Sequence, residues 1–234
     1  MITLLSCDVA GTTVDEGNLV YSVLHEVVAE FGAVISHDVL RGWTGIEKRW
    51  AIRNLLELGG VEAGDARVDA AFERFSELLE TTYRENPPAP VAGVEEFFRR
   101  VRAAGVKVAL TTGFTTPVTT SLLAGLGWTV GDGDPDATVD AVVCADTVAE
   151  GRPAPYLIHR SMELTGTHDV STVAAIGDTG ADVRAAANAG VLAVGVLTGA
   201  LTADDFAGTP AQLVLDSICD LPDGLMAAPA PASA

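Results

Sequence analysis

Short apolar runs alternate with helix-like segments along most of this chain, and few folds have that pattern. Runs of strand length occur at residues 2–7, 106–110, 139–144, 172–176, 191–196 and 213–215. Segments of helical periodicity separate most of them, at residues 94–104, 116–126, 156–164 and 181–189. Strands that alternate with helices indicate a doubly wound sheet whose strands are mostly parallel. We therefore predict an α/β core of that kind.

One long region between the first two core strands breaks the alternation. From about residue 18 to residue 84 the periodicity is helical throughout. The proline-rich segment 85–93 favours an extended linker back to the core, because proline restricts the backbone. We predict a catalytic core formed by residues 1–16 and 86–225, an inserted helical cap at 17–85, and a frayed tail at 226–234.

Charge and composition exclude several classes of protein. The 234 residues carry a formal net charge of -18, which opposes binding to nucleic acid or anionic lipid. No apolar run approaches the roughly 20 residues of a membrane span, and no basic leader precedes the first run. Cys7, Cys144 and Cys219 are too few and too widely spaced for a disulfide framework or a zinc site, which leaves them as small core residues. We expect a cytoplasmic protein that acts on a small molecule.

Four short polar segments fall at the carboxyl ends of predicted strands, where open α/β sheets bind ligands. They are residues 8–13 (DVAGTT), 110–114 (LTTGF), 151–155 (GRPAP) and 176–182 (IGDTGAD). Each has an ordinary structural explanation when taken alone, because Asp often caps helices and Thr is common in loops. Their order and spacing together resemble the four motifs of the haloacid dehalogenase superfamily, across nearly the whole chain.

This resemblance implies a phosphoryl-transfer site that uses Mg²⁺. Asp8 is the expected nucleophile, and its attack on phosphorus would form an aspartyl phosphate. Asp8, the carbonyl of Ala10 and Asp178 are expected to hold the ion, because Mg²⁺ prefers hard oxygen ligands. Asp182 lies one helical turn beyond Asp178 and is expected to support those ligands from behind.

The same resemblance implies donors for the phosphoryl oxygens. Thr112 and nearby backbone N–H groups are expected to bind these oxygens, and Arg152 is expected to supply positive charge. The predicted substrate contacts in the core are Ala10, Gly11, Thr12, Thr112, Gly113 and Arg152.

Ala10 restricts which reaction of the superfamily is expected. Phosphatases and mutases of the superfamily usually carry a second aspartate at this position, as a general acid worth roughly 10²- to 10⁴-fold in rate. Residues 8–15, DVAGTTVD, instead resemble the phosphonatases, phosphonoacetaldehyde hydrolases that cleave a carbon–phosphorus bond. In that family a cap lysine forms a Schiff base with the substrate aldehyde. Gly45-Ile-Glu-Lys48 resembles the family segment, which implies that Lys48 takes up the electrons of the breaking bond, with Gly45 beside the substrate.

Local sequence also favours an unusual environment for Lys48. Thr44 and Glu47 have the spacing of a capping box, which predicts a helix that starts at Gly45 and carries Lys48 in its first turn. The positive end of the helix dipole disfavours an ammonium group there. A solvated surface lysine is the default interpretation when the family match is set aside.

Neighbouring side chains are expected to tune the same amine. Trp43 and Trp50 are predicted to form an apolar wall and Arg49 to add a like charge, and both effects would lower the pKa of the lysine. Glu47 would act in the opposite direction.

The resemblance to phosphonatases has two departures. Ala51 stands where that family has a histidine, and Asn18 stands where it has a cysteine. His25 and His37 are candidates to replace the histidine, although a lone histidine in a cap is more often structural. The expected substrate is therefore phosphonoacetaldehyde or a close phosphono-carbonyl analogue.

Two other functions stay open at this point. One is a phosphatase for phosphate esters whose leaving group needs no general acid, and the other is an inactive scaffold that binds phosphate and regulates. The resemblance also implies a homodimer formed through the cap.

Overall fold

The computed structural model describes residues 1–43 and 45–226. Thr44 and the predicted tail at 227–234 lie outside these ranges. In chain order the strands are β1 (Leu4–Asp8), β2 (Val14–Asp15), β3 (Ala89–Pro90), β4 (Lys107–Thr112), β5 (Ala141–Cys144), β6 (Val173–Gly177), β7 (Leu192–Val196) and β8 (Leu213–Leu215). The helices are α1 (Leu19–Glu30), α2 (His37–Arg41), α3 (Lys48–Leu58), α4 (Asp65–Glu85), α5 (Val94–Ala103), α6 (Thr116–Leu126), α7 (Tyr156–Leu164), α8 (Gly180–Ala189) and α9 (Ala203–Phe206).

Six strands form one sheet in the order β5-β4-β1-β6-β7-β8, and every neighbouring pair is parallel. All five residues of β1 are buried, because strands of both halves of the sheet flank it and helices cover its faces. The predicted α/β fold with a mostly parallel sheet is confirmed.

Strand β1 is the switch point of this sheet. The chain places β4 and β5 on one side of it and β6, β7 and β8 on the other. Connections that leave in opposite directions open a crevice at the carboxyl ends of the strands, which is where ligands bind in such folds. Asp8 is the last residue of β1 and therefore lies at that crevice.

The inserted segment consists of α1, α2, α3 and α4, which follow β2 and precede β3. Leu24 of α1, Ile52 of α3 and Leu79 of α4 are fully buried and belong to one apolar cluster. Burial of each such side chain stabilises the packing by about 1.5–3 kcal/mol. The helices of the predicted cap therefore span residues 19–85, and the structured part of the insert with these bounds is called the cap below.

The two chain crossings between the cap and the rest of the protein are paired with each other, which the sequence did not predict. Val14 of β2 pairs with Pro90 of β3, and Asp15 pairs with Ala89, in an antiparallel ribbon. The predicted linker at 85–93 is therefore extended only in part, because Glu85 still belongs to α4. The ribbon fixes one crossing against the other beside the loop that follows β1.

The described carboxyl end is part of the core rather than a tail. Met226 was predicted as the first tail residue, but it is buried and forms a bridge with Ile2. The backbone N–H of Ile2 also donates to the carbonyl of Leu225 at 2.7 Å. Among the residues described, no helix is both long and apolar enough to pass through a bilayer.

Candidate active site

Arg152 joins two of the predicted site acids. Its Nη1 lies 2.6 Å from Oδ1 of Asp8, and its Nε lies 2.9 Å from Oδ1 of Asp182. All three side chains are buried, and Nη2 of Arg152 donates to the carbonyl and the hydroxyl of Thr111 at 2.9 and 3.0 Å. Burial opposes the charge of Arg152, but Asp182 and Asp8 outweigh it and raise the pKa, so the guanidinium stays a cation.

Asp178 lies with these acids but has no ion-pair partner in the described part of the chain. Carboxylate oxygens of Asp8, Asp178 and Asp182 lie within 4.8 Å of one another, and all three side chains are buried. The hydroxyl of Thr12 donates to Oδ1 of Asp178 at 3.2 Å. One arginine against three buried carboxylates leaves negative charge without a counterion, and oxygen ligands of this kind suit a divalent cation. The cluster therefore fits a metal ion.

The pKa values of these acids reflect the same excess of negative charge. Burial raises the pKa of Asp8 from 3.8 to about 6, although Arg152 opposes that change. Burial and then the charges of Asp8 and Asp182 raise the pKa of Asp178 well above its ordinary value. Positive charge placed between these groups would lower both pKa values, because it favours the ionised forms.

Glycine backbones press against Asp178 from two loops. A β-carbon built on Gly11 would lie 2.8 Å from Cγ of Asp178, and one built on Gly199 would lie 2.6 Å from it. Thr198 fixes the two loops together, since its hydroxyl donates to the carbonyl of Gly11 at 2.6 Å. Thr198 and Gly199 were not predicted from the sequence. Their only signal was a Thr-Gly pair after an apolar run.

The predicted phosphoryl donors lie at the end of β4. Thr112 is buried, and its hydroxyl accepts from the backbone N–H of Phe114 at 3.1 Å. Gly113 follows Thr112 directly and is half-buried. Ala10, in the loop that follows β1, forms a bridge with Val14 and is half-buried. The geometry brings these residues to one edge of the sheet, and their contacts with a substrate stay predictions.

The cap loop of residues 45–47 rests on this edge through glycines. A β-carbon on Gly45 would lie 2.9 Å from Cβ of Thr179 and would overlap its hydroxyl. A β-carbon on Gly151 would lie 2.8 Å from Cβ of Glu47, and one on Gly113 would lie 3.5 Å from the carbonyl oxygen of Ile46. The cap is therefore in contact with three of the four motif segments, which is a closed arrangement.

Lys48 is buried inside this closed arrangement, with 4% of its surface exposed. Its Nζ donates to the carbonyl of Ile46 at 2.9 Å and lies 5.6 Å from the centre of the Tyr21 ring. Burial is the main cause that lowers the pKa of Lys48; Asp8 opposes it, and the like charge of Arg152 reinforces it. A buried amine with a lowered pKa has a larger fraction in the nucleophilic, uncharged form.

The start and the N-cap of the helix that carries Lys48 differ from the sequence prediction. Helix α3 begins at Lys48 and not at Gly45, whose φ of +73° is not helical. The N-cap is Glu47, and its carboxylate accepts from the backbone N–H groups of Arg49 and Trp50 at 2.7 Å each. The predicted role of Thr44 in a capping box lies outside the described residues. The predicted position of Lys48 in the first turn is correct.

Several neighbours predicted to tune Lys48 point elsewhere. Trp50 is 55% exposed and forms no wall, and Arg49 pairs with Asp69 on the surface. The like charge that reaches Lys48 comes from Arg152, and Glu47 acts in the predicted direction.

The two cap histidines also lie apart from the lysine. His25 and His37 stack on each other, with ring centroids 5.1 Å apart, and neither contacts Lys48 within the described ranges. The proposed replacement of a catalytic histidine by either residue therefore has no contact that supports it.

Three further polar side chains near the site were not identified from the sequence. They are Glu16, Tyr21 and Tyr83. The hydroxyl of Tyr21 accepts from the backbone N–H of Gly45 at 2.9 Å, which ties α1 to the cap loop. Glu16 is buried, and the hydroxyl of Tyr83 is buried with no hydrogen-bond partner in the described structure. Glu16 precedes a predicted helix, as an ordinary cap residue would, so its position alone carried little signal.

Comparisons with known proteins agree with this arrangement. A family model described as haloacid dehalogenase-like hydrolase matches residues 2–190. A phosphonoacetaldehyde hydrolase from Nitratidesulfovibrio vulgaris is 32% identical over 206 residues, which cover 81% of this chain and 69% of that protein. A solved hydrolase from Pseudomonas syringae superposes with a TM-score of 0.82 at 18% identity, covering 94% of this chain and 96% of that one.

A second solved structure is a phosphonoacetaldehyde hydrolase like protein from Oleispira antarctica. It superposes with a TM-score of 0.77 at 21% identity, covering 96% of this chain and 91% of that one. Sequence identities this low show a shared fold for the two solved structures and nothing finer.

Proposed function

Since the chain belongs to the haloacid dehalogenase-like hydrolases, we propose that it hydrolyses the carbon–phosphorus bond of phosphonoacetaldehyde or a close phosphono-carbonyl analogue. The observation that carries the proposal is a lysine buried in the closed site, Lys48, combined with an alanine, Ala10, where a general acid would otherwise stand. The printed name of the Nitratidesulfovibrio vulgaris relative supports the same substrate class.

The carbonyl end of the substrate belongs at Lys48. The uncharged amine attacks the carbonyl carbon, and loss of water leaves a protonated imine. This cationic C=N group lies one bond from the carbon attached to phosphorus, so it can accept the electron pair of the breaking bond. A leaving group that is stabilised in this way needs no proton from a residue at position 10.

The phosphoryl end belongs at Asp8. An oxygen of Asp8 forms a bond to phosphorus as the carbon–phosphorus bond breaks, and the electron pair moves through carbon to the imine nitrogen of Lys48. The products are an aspartyl phosphate and an enamine, which water then converts to phosphate, an aldehyde or ketone, and free lysine. Thr112 and Arg152 bind the phosphoryl oxygens during these steps.

The acid cluster is proposed to hold Mg²⁺ through Asp8, Asp178 and the carbonyl of Ala10, with Asp182 behind them. The ion would supply positive charge that reduces repulsion between the nucleophile and the phosphoryl oxygens and stabilises the transition state.

Borohydride trapping tests the proposal directly, because the chain contains two lysines, Lys48 and Lys107. Phosphonoacetaldehyde is mixed with the protein and reduced, and mass spectrometry then identifies the modified peptide. We expect the adduct on Lys48. Lys107 is the internal control, since its hydrogen bond to Asp132 at 2.7 Å raises its pKa and keeps it an ammonium ion.

Matched variants complete the test. We expect Lys48→Arg to lose both the adduct and phosphate release from phosphonoacetaldehyde, whereas Lys107→Arg should retain both. Full activity of Lys48→Arg on the phosphonate would refute the mechanism. Release of phosphate from aryl phosphates but not from phosphonates would instead identify a phosphatase.

A further inference from the structure

Glu16 is a buried acid that the mechanism above does not use. It lies between β2 and α1 and is only 5% exposed. Its Oε2 accepts from the backbone N–H of Val20 at 2.8 Å, at the start of α1. The other carboxylate oxygen, Oε1, has no hydrogen-bond partner within the described ranges. A buried carboxyl with one oxygen held and one free is suited to exchange a proton with a ligand.

Glu16 shares its surroundings with Lys48. The helical turn that Glu16 caps carries Tyr21, and the ring of Tyr21 lies 5.6 Å from Nζ of Lys48. Glu16 and Lys48 are close enough for each charge to affect the pKa of the other, yet they form no ion pair in the described structure. Both groups therefore lie buried in the region where the start of α1 meets the start of α3.

Tyr83 adds a second unused polar group. It lies in the last turn of α4, and its hydroxyl is buried without a partner in the part of the chain that the structure describes. Burial and then the charge of Glu16 raise the pKa of this phenol, so it remains a donor. A buried hydroxyl without a partner is costly, and a polar ligand atom would satisfy it.

Formation of an imine requires proton transfers that the amine cannot perform alone. The carbonyl oxygen must be protonated twice before it leaves as water, and the attacking nitrogen must lose a proton between those events. We propose that Glu16 carries these protons during imine formation at Lys48 and that the hydroxyl of Tyr83 holds the carbonyl oxygen beside it. This inference rests on the proposed function and names a further catalytic residue for it.

The steps balance. A bond forms between Nζ of Lys48 and the carbonyl carbon, the C=O π pair moves to oxygen, and protonated Glu16 gives its proton to that oxygen. The carboxylate of Glu16 then takes a proton from the new ammonium nitrogen. Glu16 returns this proton to the hydroxyl as the C–O bond breaks, so water leaves and the nitrogen lone pair forms the iminium ion. Uncharged lysine, carbonyl and carboxylic acid become iminium ion, water and carboxylate.

The resting charges of the two groups favour this sequence. Burial raises the pKa of Glu16, against the N–H of Val20 and the charge of Lys48, while burial lowers the pKa of Lys48. Both changes favour the uncharged pair from which the first step begins.

The test measures the rate at which the borohydride-trappable adduct forms on Lys48 with phosphonoacetaldehyde. Glu16→Gln keeps the size of the side chain and its acceptor for Val20 but cannot transfer a proton. We expect this variant to form the adduct roughly 10²-fold more slowly, as removal of a general acid–base group usually does. Asp15→Asn is the matched control, because it removes an exposed charge from the adjacent residue, and it should trap at the rate of the unmodified protein.

A rescue experiment separates proton transfer from structural damage. Glu16→Ala opens a cavity, and added formate should restore adduct formation at least about tenfold, while acting little on Glu16→Gln. Tyr83→Phe should slow the adduct without rescue by formate. Mg²⁺-dependent binding of inorganic phosphate reports whether the core site of each variant is intact.

The role of Glu16 and the proposed function are refuted by different results. Trapping by Glu16→Gln at the unmodified rate, or a slow Glu16→Ala that formate does not restore while phosphate binding is normal, overturns the role of Glu16. Loss of phosphate binding together with trapping in Glu16→Ala would show a structural role and overturn it as well. No adduct on Lys48 in the unmodified protein would refute the proposed function itself, which is a separate result.

Discussion

Gly45 of the cap lies against Thr179 of the core so closely that any side chain on Gly45 would meet the threonine hydroxyl. The same hydroxyl donates to Oδ2 of Asp182, and the backbone N–H of Thr179 donates to that oxygen at 3.0 Å. The position of the cap and the orientation of a site acid therefore depend on one residue. Closure and assembly of the site are linked at this contact.

Replacement of Gly45 by alanine should prevent full closure. The methyl group would displace the cap loop and move Lys48 away from Asp8, and a shift of about 1 Å can cost roughly 10²-fold in rate. We expect kcat/KM for phosphonoacetaldehyde to fall by about that factor, measured by phosphate release.

Gly60→Ala is the control for backbone strain in the Gly45 experiment. Gly60 also has a positive φ, +83°, but a β-carbon there would have nothing within 4 Å. Both variants should lose about 1 kcal/mol of unfolding free energy or somewhat more, because alanine is strained at such a φ. Equal activity of the two variants would contradict the importance of the contact.

Magnesium should stabilise the folded protein through Asp178. An ion that binds only the folded state at about 100 times its dissociation constant adds about 2.7 kcal/mol to the free energy of unfolding. We expect Mg²⁺ to raise the melting temperature of the protein after chelation, and Asp178→Asn to remove this response. Asp136→Asn removes an exposed acid and should retain the response. An unchanged response in Asp178→Asn would place the ion elsewhere.

Arg152→Met should leave Asp8 and Asp182 buried without their cation. Loss of one partner from a buried ion pair costs about 3–5 kcal/mol, so we expect a decrease of that size in the unfolding free energy of the metal-free protein. Mg²⁺ should stabilise this variant more than the unmodified protein, because the ion then supplies the missing charge.

Arg102→Met is the comparison for Arg152. Its Nε lies 3.0 Å from Oδ2 of the buried Asp140, which also accepts from the backbone N–H of Val108 at the amino end of β4, opposite the strand ends that carry the motif segments. We expect a comparable loss of stability, an ordinary response to Mg²⁺ and normal kcat/KM. If Mg²⁺ stabilised both variants equally, Arg152 would not be the residue that neutralises the cluster of Asp8, Asp178 and Asp182.

The elevated pKa of Asp8 predicts a pH dependence of stability without metal. The pKa is about 6 in the folded protein against an ordinary value of 3.8. As pH rises from about 4 to 6 the unfolded chain ionises first, so the folded state loses stability; a change of about two pKa units corresponds to about 3 kcal/mol. Below that window the loss is absent.

Urea unfolding in the presence of a chelator can measure this effect. Asp8→Asn cannot ionise at residue 8, so its unfolding free energy relative to the unmodified protein should increase between pH 4.5 and pH 7. Saturating Mg²⁺ should shrink the difference. A difference that stays constant with pH would contradict the raised pKa.

The sequence predicted that Asp8 and Asp178 lie close together, because parallel strands end at one edge of the sheet. Asp8 and Asp178 follow apolar runs of strand length, and strands of a doubly wound sheet bring such residues together without further information. The six strands of the parallel sheet and helices α5 to α8 were identified for the same reason, since their pattern extends over enough residues to be recognised.

The remaining features depend on contacts between distant residues. The ribbon of β2 and β3 has two residues in each strand, which is too short to show periodicity. The contacts of Ile46 with Gly113 and of Glu47 with Gly151 join segments more than 60 residues apart. The exposure of Trp50 could have been predicted, because a residue two positions after the buried Lys48 lies on the opposite side of a helix.

The carboxylate of Glu47 occupies two of the free N–H groups at the start of α3. That helix end, which would otherwise attract an anion, is therefore already neutralised, and the cap offers its amine without competing for phosphate. In the proposed reaction, binding of the organic fragment and binding of the phosphoryl group are therefore assigned to separate segments of the chain. Under that proposal, substitutions in the cap would change which organic fragment the protein accepts and leave the phosphoryl site of the core as it is.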